Sequence, residues 1–480
     1  MFFTFGLFQT EGHIYNRIVL RNSVRVSLIL LSILLAIFAP FILSGYSELK
    51  KARTSGSYRE VAEHYRNAAQ RIPWRADLYE LSGHAYYHAK DYVQADAVYQ
   101  KAFYYHAFSP EGWVAWGDVN YLNKDPERAT EIWEQALDQK NPSDQLYSRL
   151  ADIYRSNGEF SKAADYLQKY VSIHSEDASS HYRLGLLLTL SDPNKALSEL
   201  LSASRLDPEL DPVVQTLRTT LNLASIHDSA SARLVVIGRG LGLIQEWSLA
   251  HAAFEEAVKT DPKNAEAWAW LGEANQQMGL SEDGGAELDR ALDLNPDLPT
   301  VHGLRGLYFE RAGSFRQALA EFQAAAALEP ENPAWFVSLG ESYSKLGDLI
   351  QAMNSYQMAT TLAPEDASYW RLLAIFCAQN NVNVNDVGVP AAQKAVVLAK
   401  DDATSLDVLG WLLIMDSRDK EAERILTHAL ELDPQNASAH LHLGVLYLQT
   451  DHRASAYDHL VKSRDLGSSD AEMILKQYFP

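Results

Sequence analysis

A period of 34 residues constrains this chain more than any other feature of it. Gly83, Gly117, Ala151 and Gly185 lie 34 residues apart, as do Gly238, Gly272, Gly306, Gly340 and Ala374, and Gly410 and Gly444 resume the step. At another phase Pro262, Pro296, Pro330 and Pro364 keep the same period, and Pro434 follows after two periods plus two residues. Ala95, Ala129 and Ala163 in the first half, and Ala318, Ala352, Ala422 and Ala456 in the second, give a third small position in register. Self-similarity at this spacing means one supersecondary unit used many times, each leaving an apolar face that only its neighbour can cover. A chain of 480 residues would otherwise suggest about three ordinary domains.

The unit reads as two antiparallel helices crossing so closely that only Gly or Ala fits at the contact. Leu339, Tyr343, Tyr356 and Ala359 recur at helical spacing in one unit and fill the space between its helices. Leu346-Gly347-Asp348 and Ala312-Gly313-Ser314 are turn signals between the helices, and the closing proline ends the second helix because it has no amide to donate. Residues 334–364, AWFVSLGESYSKLGDLIQAMNSYQMATTLAP, closely resemble the tetratricopeptide repeat, and the resemblance runs from about residue 55 to 470. It implies an all-α fold, an α-solenoid of tandem helix-turn-helix repeats forming a right-handed superhelix, here of a membrane-anchored bacterial type. Eleven full units start near 76, 110, 144, 178, 231, 265, 299, 333, 367, 403 and 437. GSYREVAEHYRNAAQRIP at 56–73 has the pattern of a second helix alone, so its missing first helix falls on 42–55.

Three departures punctuate the array. Pro208 to Pro262 spans 54 residues, 20 more than one period, and Val213, Leu217 and Leu221 predict one extra, non-repeat helix over 211–230. NNVNVNDVG at 380–388 carries a two-residue insertion and reads as a longer loop. Gly284 stands where the resembling family has alanine, which predicts a locally weaker helix. The expected organisation is a tail over 1–25, a transmembrane helix over 26–46, a sub-array of a half repeat plus four over 47–210, the extra helix, seven repeats over 231–470, and a capping helix over 471–480.

Val26 to Leu43 is an uncharged run of eighteen residues, the minimum for a helix crossing a bilayer core. A cleaved signal peptide is the competing reading, but the run is long and no A-x-A-like site follows it. Arg17, Arg21 and Arg25 precede the run and Lys50, Lys51, Arg53 and Arg59 follow it, so charge leaves orientation nearly balanced. A short Arg-bearing tail resists translocation, and a long downstream domain does not. The expectation is therefore a single-pass protein with its solenoid extracytoplasmic.

The formal charge is −20, and an acidic body repels phosphate backbones, which argues against nucleic-acid binding. Cys377 is the single cysteine, which excludes an internal disulfide and multi-cysteine metal sites; it falls on a packing position and reads as a buried structural thiol. Gly238-Arg-Gly240-Leu-Gly242 suggests a phosphate-binding loop only superficially, since Gly238 is the repeat's small position. Asn381, Asn383, Asn385 and Asp386 lack the glycine and glutamate of a calcium loop. His84 and His88 share a helix face as two metal ligands would, but without a catalytic glutamate or a third ligand nearby. No metal, cofactor or catalysis is expected.

Residues 74–133 hold fourteen aromatic residues. Tyr79, Tyr86, Tyr99, Trp113 and Trp133 coincide with packing positions, whereas others have no such assignment. In the resembling family the first helices line a concave groove, which implies a partner-binding surface formed here by Glu80, His84, Tyr87, His88, Asp118, Tyr121, Asp152 and Arg155. The acids in that set favour a ligand with positive charge or hydrogen-bond donors. The chain therefore reads as a non-catalytic scaffold that binds other proteins, as an extended peptide or a helix in the groove, and contacts the membrane through 26–46. The alternative is an accessory subunit in cell-envelope polysaccharide or peptidoglycan assembly whose groove touches glycan.

Overall fold

The computed structural model describes residues 5–106 and 108–479, with side chains from Arg25 onward except Leu35. The first four residues of the expected tail, and the side chains of Arg17 and Arg21, lie outside the described residues. Among the described residues there are twenty-six α-helices and no strand. They gather into two compact units, 1–218 and 219–480.

The first helix runs unbroken from Phe5 to Thr54, with Pro40 inside it. Its portion from Arg25 is long and apolar enough to cross a membrane, and side chains such as Leu28, Ile33 and Leu43 stand exposed. Beyond Leu43 the same helix becomes the first member of a repeat pair. A Cβ on Gly45 would come within 2.5 Å of Ile72, so the missing first helix of the half repeat is supplied here. Buried Glu48 binds Lys51 (2.9 Å), His64 (2.6 Å) and Arg71 (3.2 Å). These hydrogen-bond partners, Lys51 foremost, hold its carboxyl down at about 2 against the opposing effect of burial.

First helices of the following pairs span Asp77–His88, Pro110–Leu122, Gln145–Ser156 and Ala178–Leu188 in the first unit. In the second they span Ala230–Leu243, Ala265–Gln277, Pro299–Arg311, Pro333–Lys345, Ala367–Asn380, Ala403–Met415 and Ala437–Gln449. The periodic small residues sit at the crossings: a Cβ on Gly117 would collide with the Trp133 indole, sixteen positions on, and one on Gly444 would come within 2.6 Å of Leu460. Four second helices start behind aspartate caps, at Asp91, Asp125, Asp192 and Asp348, as where Asp125 accepts from the Arg128 amide (3.0 Å) and Asp348 from the Gln351 amide (3.2 Å). At the final turn, Ser469–Tyr478 covers the last pair with Ala471 and Leu475.

Several details correct the sequence reading. Around the extra helix, Asp211–Ser225, the buried stripe is Val214, Leu217, Leu221 and Ala224, so Val213 is one position off the packed face. The 380–388 insertion is not an open loop. Asn381 and Asn383 take left-handed backbone (φ 51° and 47°), and Val384–Gly388 then closes one π-helical turn. Gly284 has a structural reason to be glycine: a Cβ there would meet the Gly272 carbonyl at 2.7 Å, and one on Gly272 would meet the Gly284 carbonyl at 2.7 Å. Backbone meets backbone at that crossing, an approach that offsets the low helix propensity. Gly238, Gly240 and Gly242 are all inside the helix Ala230–Leu243, against Phe254, Thr220 and Trp247.

Candidate functional site

Six of the fourteen aromatic residues over 74–133 are buried core. Tyr79, Tyr86, Tyr99, Trp113, Trp116 and Trp133 are buried, and the Trp116 indole donates to Asp96 (2.7 Å). Burial pushes the Tyr99 phenol well above its ordinary range.

Of the eight residues expected in the groove, the structure brings four together. Tyr87, Asp118, Tyr121 and Asp152 line one recess of about 400 Å³, with Trp133 and Arg149 completing its walls. Leu122 and Ile153 add apolar surface. Successive first helices place them, because residues about 34 apart recur at the same height on neighbouring units. Tyr121 is half exposed, 51%, and its ring lies 6.4 Å from the Trp133 ring.

The other four do not converge there. Glu80 is largely buried: the Ser109 amide donates to it at 2.7 Å and the Ser109 hydroxyl at 2.5 Å. Ser109 is the N-cap of the next first helix, so Glu80 braces one unit on another; burial, the largest influence, raises its carboxyl, but the contacts with His84 and then Ser109 outweigh it and hold it below the ordinary value. His84 Nδ1 is 3.0 Å from the Tyr99 hydroxyl, inside the packing of its own pair. His88 lies between the Tyr58 and Tyr87 rings (5.2 and 5.5 Å). The two histidines therefore meet different partners and do not form a ligand pair. Arg155 is half-buried, is engaged in an interaction of its own and is not part of the recess lining.

The electrostatics also differ from the acidic groove expected. Arg149 Nε donates to Asp118 Oδ1 at 2.7 Å and Nη2 to Oδ2 at 3.1 Å, a two-pronged pair that raises the Arg149 pKa. Arg183 Nη2 donates to Asp152 Oδ1 one unit further on, through a single contact. Both carboxylates are thus balanced by arginines from the adjacent helix, and the recess offers paired charges beside aromatic surface. Arg149 was legible in principle, since 149 is 31 positions beyond Asp118 and falls on the next unit's first helix.

Sequence reasoning missed a second, larger recess of about 660 Å³ in the other unit. Ile375, Val408, Trp411, Leu441, Val445 and Ile474 make its apolar wall, drawn from three first helices and the capping helix. His442 stacks under Trp411 (centroids 5.0 Å, 14°), and its Nδ1 lies 2.7 Å from the buried Asp407 carboxylate. The indole is therefore fixed from behind, with polar groups such as Gln379, Ser438, Gln449 and Asp470 around the apolar wall. Nothing in the local pattern flagged it, because every lining residue is ordinary for a repeat.

Among the described residues no three His, Cys, Asp or Glu side chains gather as a metal site. Cys377 is buried against Gly388, and burial pushes its thiol up to about 11.

Family models described as tetratricopeptide repeat match residues 114–178, 245–308 and 311–375. Human superkiller complex protein 3 is 24% identical over 282 residues, covering 56% of this chain and 17% of that protein. The mouse protein is 25% identical over 234 residues, 47% of this chain and 14% of that one. The chain thus spans under a fifth of the length of these curated relatives. Among solved structures, the APC/C hetero-tetramer Cut9–Hcn1 aligns over 94% of this chain and 98% of the other, at 14% identity and a TM-score of 0.43. Yeast Tom70 aligns over 92% and 94%, at 16% identity and a TM-score of 0.40.

Proposed function

The chain belongs to the tetratricopeptide-repeat family, a fold that typically serves as a protein-binding scaffold, and we propose that it is a membrane-anchored, non-catalytic member of that kind. Its N-terminal helix spans the bilayer once through 26–46, with the solenoid on the extracytoplasmic side. A partner docks in the inner recesses. The observation that carries this reading is the open apolar wall around Trp411, which no helix among the described residues fills.

That recess suits the apolar face of a helix or extended segment with a basic flank. Hydrophobic anchors in a desolvated pocket supply most binding energy, and charge supplies register. Residues 401–480 hold fourteen acidic against seven basic side chains, which favours a basic partner. The membrane-near recess favours a different contact. Aromatic faces beside the Asp118–Arg149 pair suit a ligand that stacks and hydrogen-bonds, a peptide backbone or a glycan.

The test is capture from solubilised membranes by the full chain and by two variants, Trp411→Ala and Tyr87→Ala with Tyr121→Ala. Loss of one protein partner with Trp411→Ala, while the fold persists, supports the scaffold. Retention of every partner by both variants would contradict it. Binding of a glycan array that only the tyrosine variant loses would favour the envelope-polysaccharide alternative. Anchoring is tested separately: the full chain should resist alkaline extraction from membranes, and release by alkali, or a mature N-terminus beyond Leu43, would contradict a spanning helix.

A further inference from the structure

We propose that the two inter-repeat turns nearest the N-terminal helix form an aromatic belt, Trp74, Tyr104 and Tyr105 together with Tyr46, that lies in the headgroup layer of the bilayer. This rests on the reading that residues 26–46 span the membrane.

The level of these residues follows from the first packing contacts. Gly45 is two residues beyond Leu43, where the apolar run ends, and it sits against Ile72. Arg71 Nη1 donates to Ser44 Oγ at 3.0 Å. The turn carrying Trp74 is therefore level with the end of the apolar run. The next pair of helices returns the chain to the same side: Tyr105 stacks flat on Tyr79 (5.7 Å, 7°), and Tyr79 is in the first turn of the helix that begins at Asp77. Because the anchor helix continues unbroken into the array and is pinned at Glu48, this level is fixed by the fold.

Exposure and composition single out these two turns. Tyr46, Trp74, Tyr104 and Tyr105 are 48%, 59%, 75% and 51% exposed. Equivalent turns elsewhere read HSED at 174–177, DPKN at 261–264, EPEN at 329–332, APED at 363–366 and DPQN at 433–436. Against those acidic turns, IPWRA at 72–76 and YHAFS at 105–109 have no carboxylate. The turns at the opposite ends of the same helices are polar, Ser55-Gly56-Ser57 and Ala89-Lys90-Asp91, and Tyr58 beside them is partnered by His88. Tryptophan and tyrosine favour the membrane–water interface, where the ring is half in apolar surroundings and its polar atom stays hydrated. A carboxylate there would have to shed part of its hydration, which is costly for a charge. The belt thus accounts for aromatic residues that neither the core nor the recess uses.

The experiment uses the full chain in vesicles of phosphatidylcholine with a minority of phosphatidylglycerol, their acyl chains brominated near the glycerol end. The chain has ten tryptophans, so the emission of Trp74 is taken as the difference between wild type and Trp74→Phe. Trp74 is exposed, so this change leaves packing intact. The belt predicts that the difference emission falls about twofold in brominated against ordinary lipid, with Trp74→Phe itself much less affected. Replacing Tyr104 and Tyr105 together by Ser should reduce that quenching while the chain still resists alkali. Unquenched Trp74 emission from a chain that stays with the vesicles after an alkaline wash would overturn the belt and leave the anchor standing. Release by alkali would overturn both.

Discussion

The two recesses are built from the same repeat and yet offer opposite chemistry. In the first unit, arginine from one first helix clamps aspartate on its neighbour, as in Arg149 to Asp118, and aromatic rings stand beside the paired charges. In the second, aliphatic side chains from Ile375 to Ile474 surround Trp411, and His442 meets Asp407 beneath the indole. The repeat fixes where side chains project and leaves their chemistry free. Ligand preference should therefore divide between the units.

The largest expected effect tests the shared frame. Gly117→Leu must displace the Trp133 indole, and a cost of about 3 kcal/mol in the first unit is expected, read as a drop in the denaturation midpoint of that unit. Gly444→Leu should do the same to the last full repeat through Leu460. If either variant unfolds at the wild-type midpoint, the close crossings are not what sets the period.

Next in size are the recess variants. Trp411→Ala should weaken a helical partner by tenfold or more, roughly the loss of one buried anchor. Tyr87→Ala with Tyr121→Ala should spare that partner, and added salt should weaken whatever binds through the charged pairs, since screening acts over about 8 Å at physiological strength. Equal losses from both variants would erase the distinction between the recesses.

Acid should separate the two units at different pH. His440 and His459 meet through their Nδ1 atoms at 2.9 Å, and burial holds both below the ordinary 6.5. The unfolded chain takes up protons first, so this pair's contribution is complete above about pH 6.5 and fades as pH falls below it. Glu48 is held down at about 2 against an ordinary 4.5. Its contribution is complete above that ordinary value and is lost only as pH falls from there toward 2. Hydrogen exchange should therefore show the 437–465 pair loosening before the junction of the first helix with Tyr58–Arg71. Simultaneous loosening would mean these groups do not set acid stability.

The smallest effect concerns the turns within pairs. In the first unit Lys90 and Lys124 hold left-handed backbone (φ 58° and 63°), where the second unit places Gly313 and Gly347 (φ 71° and 81°). Lys124→Gly should raise stability by about 1 kcal/mol or less, and Gly347→Lys should lower it similarly. A loss on Lys124→Gly would show that the lysine side chain has a role beyond the turn.

Periodicity made the fold legible, because a small residue every 34 positions has few other physical meanings. It also gave the packing role of Tyr99 and Trp133, which meet Gly83 and Gly117 directly. The candidate site was half legible. Helix phase placed Tyr87, Asp118, Tyr121 and Asp152 on one face, but phase cannot show that Glu80 turns back onto the cap at Ser109 or that Arg149 neutralises Asp118. The recess at Trp411 was invisible because depth is a property of several units packed together, not of any residue's type. The aromatic run at 74–133 misled in the other direction, since six of its fourteen rings are buried core and only Tyr87, Tyr121 and Trp133 line the recess.

Occupation of the two recesses by a partner protein is what the proposed scaffold requires. Its most direct test is photocrosslinking in intact membranes, with a benzophenone side chain placed singly at Tyr121, at Trp411 and, as the outer-face control, at exposed Gln100. A defined crosslinked species from the Trp411 position, competed by excess unlabelled chain and absent from the Gln100 position, is the predicted result. The same faint pattern from all three positions, or adducts with lipid alone, would contradict the claim.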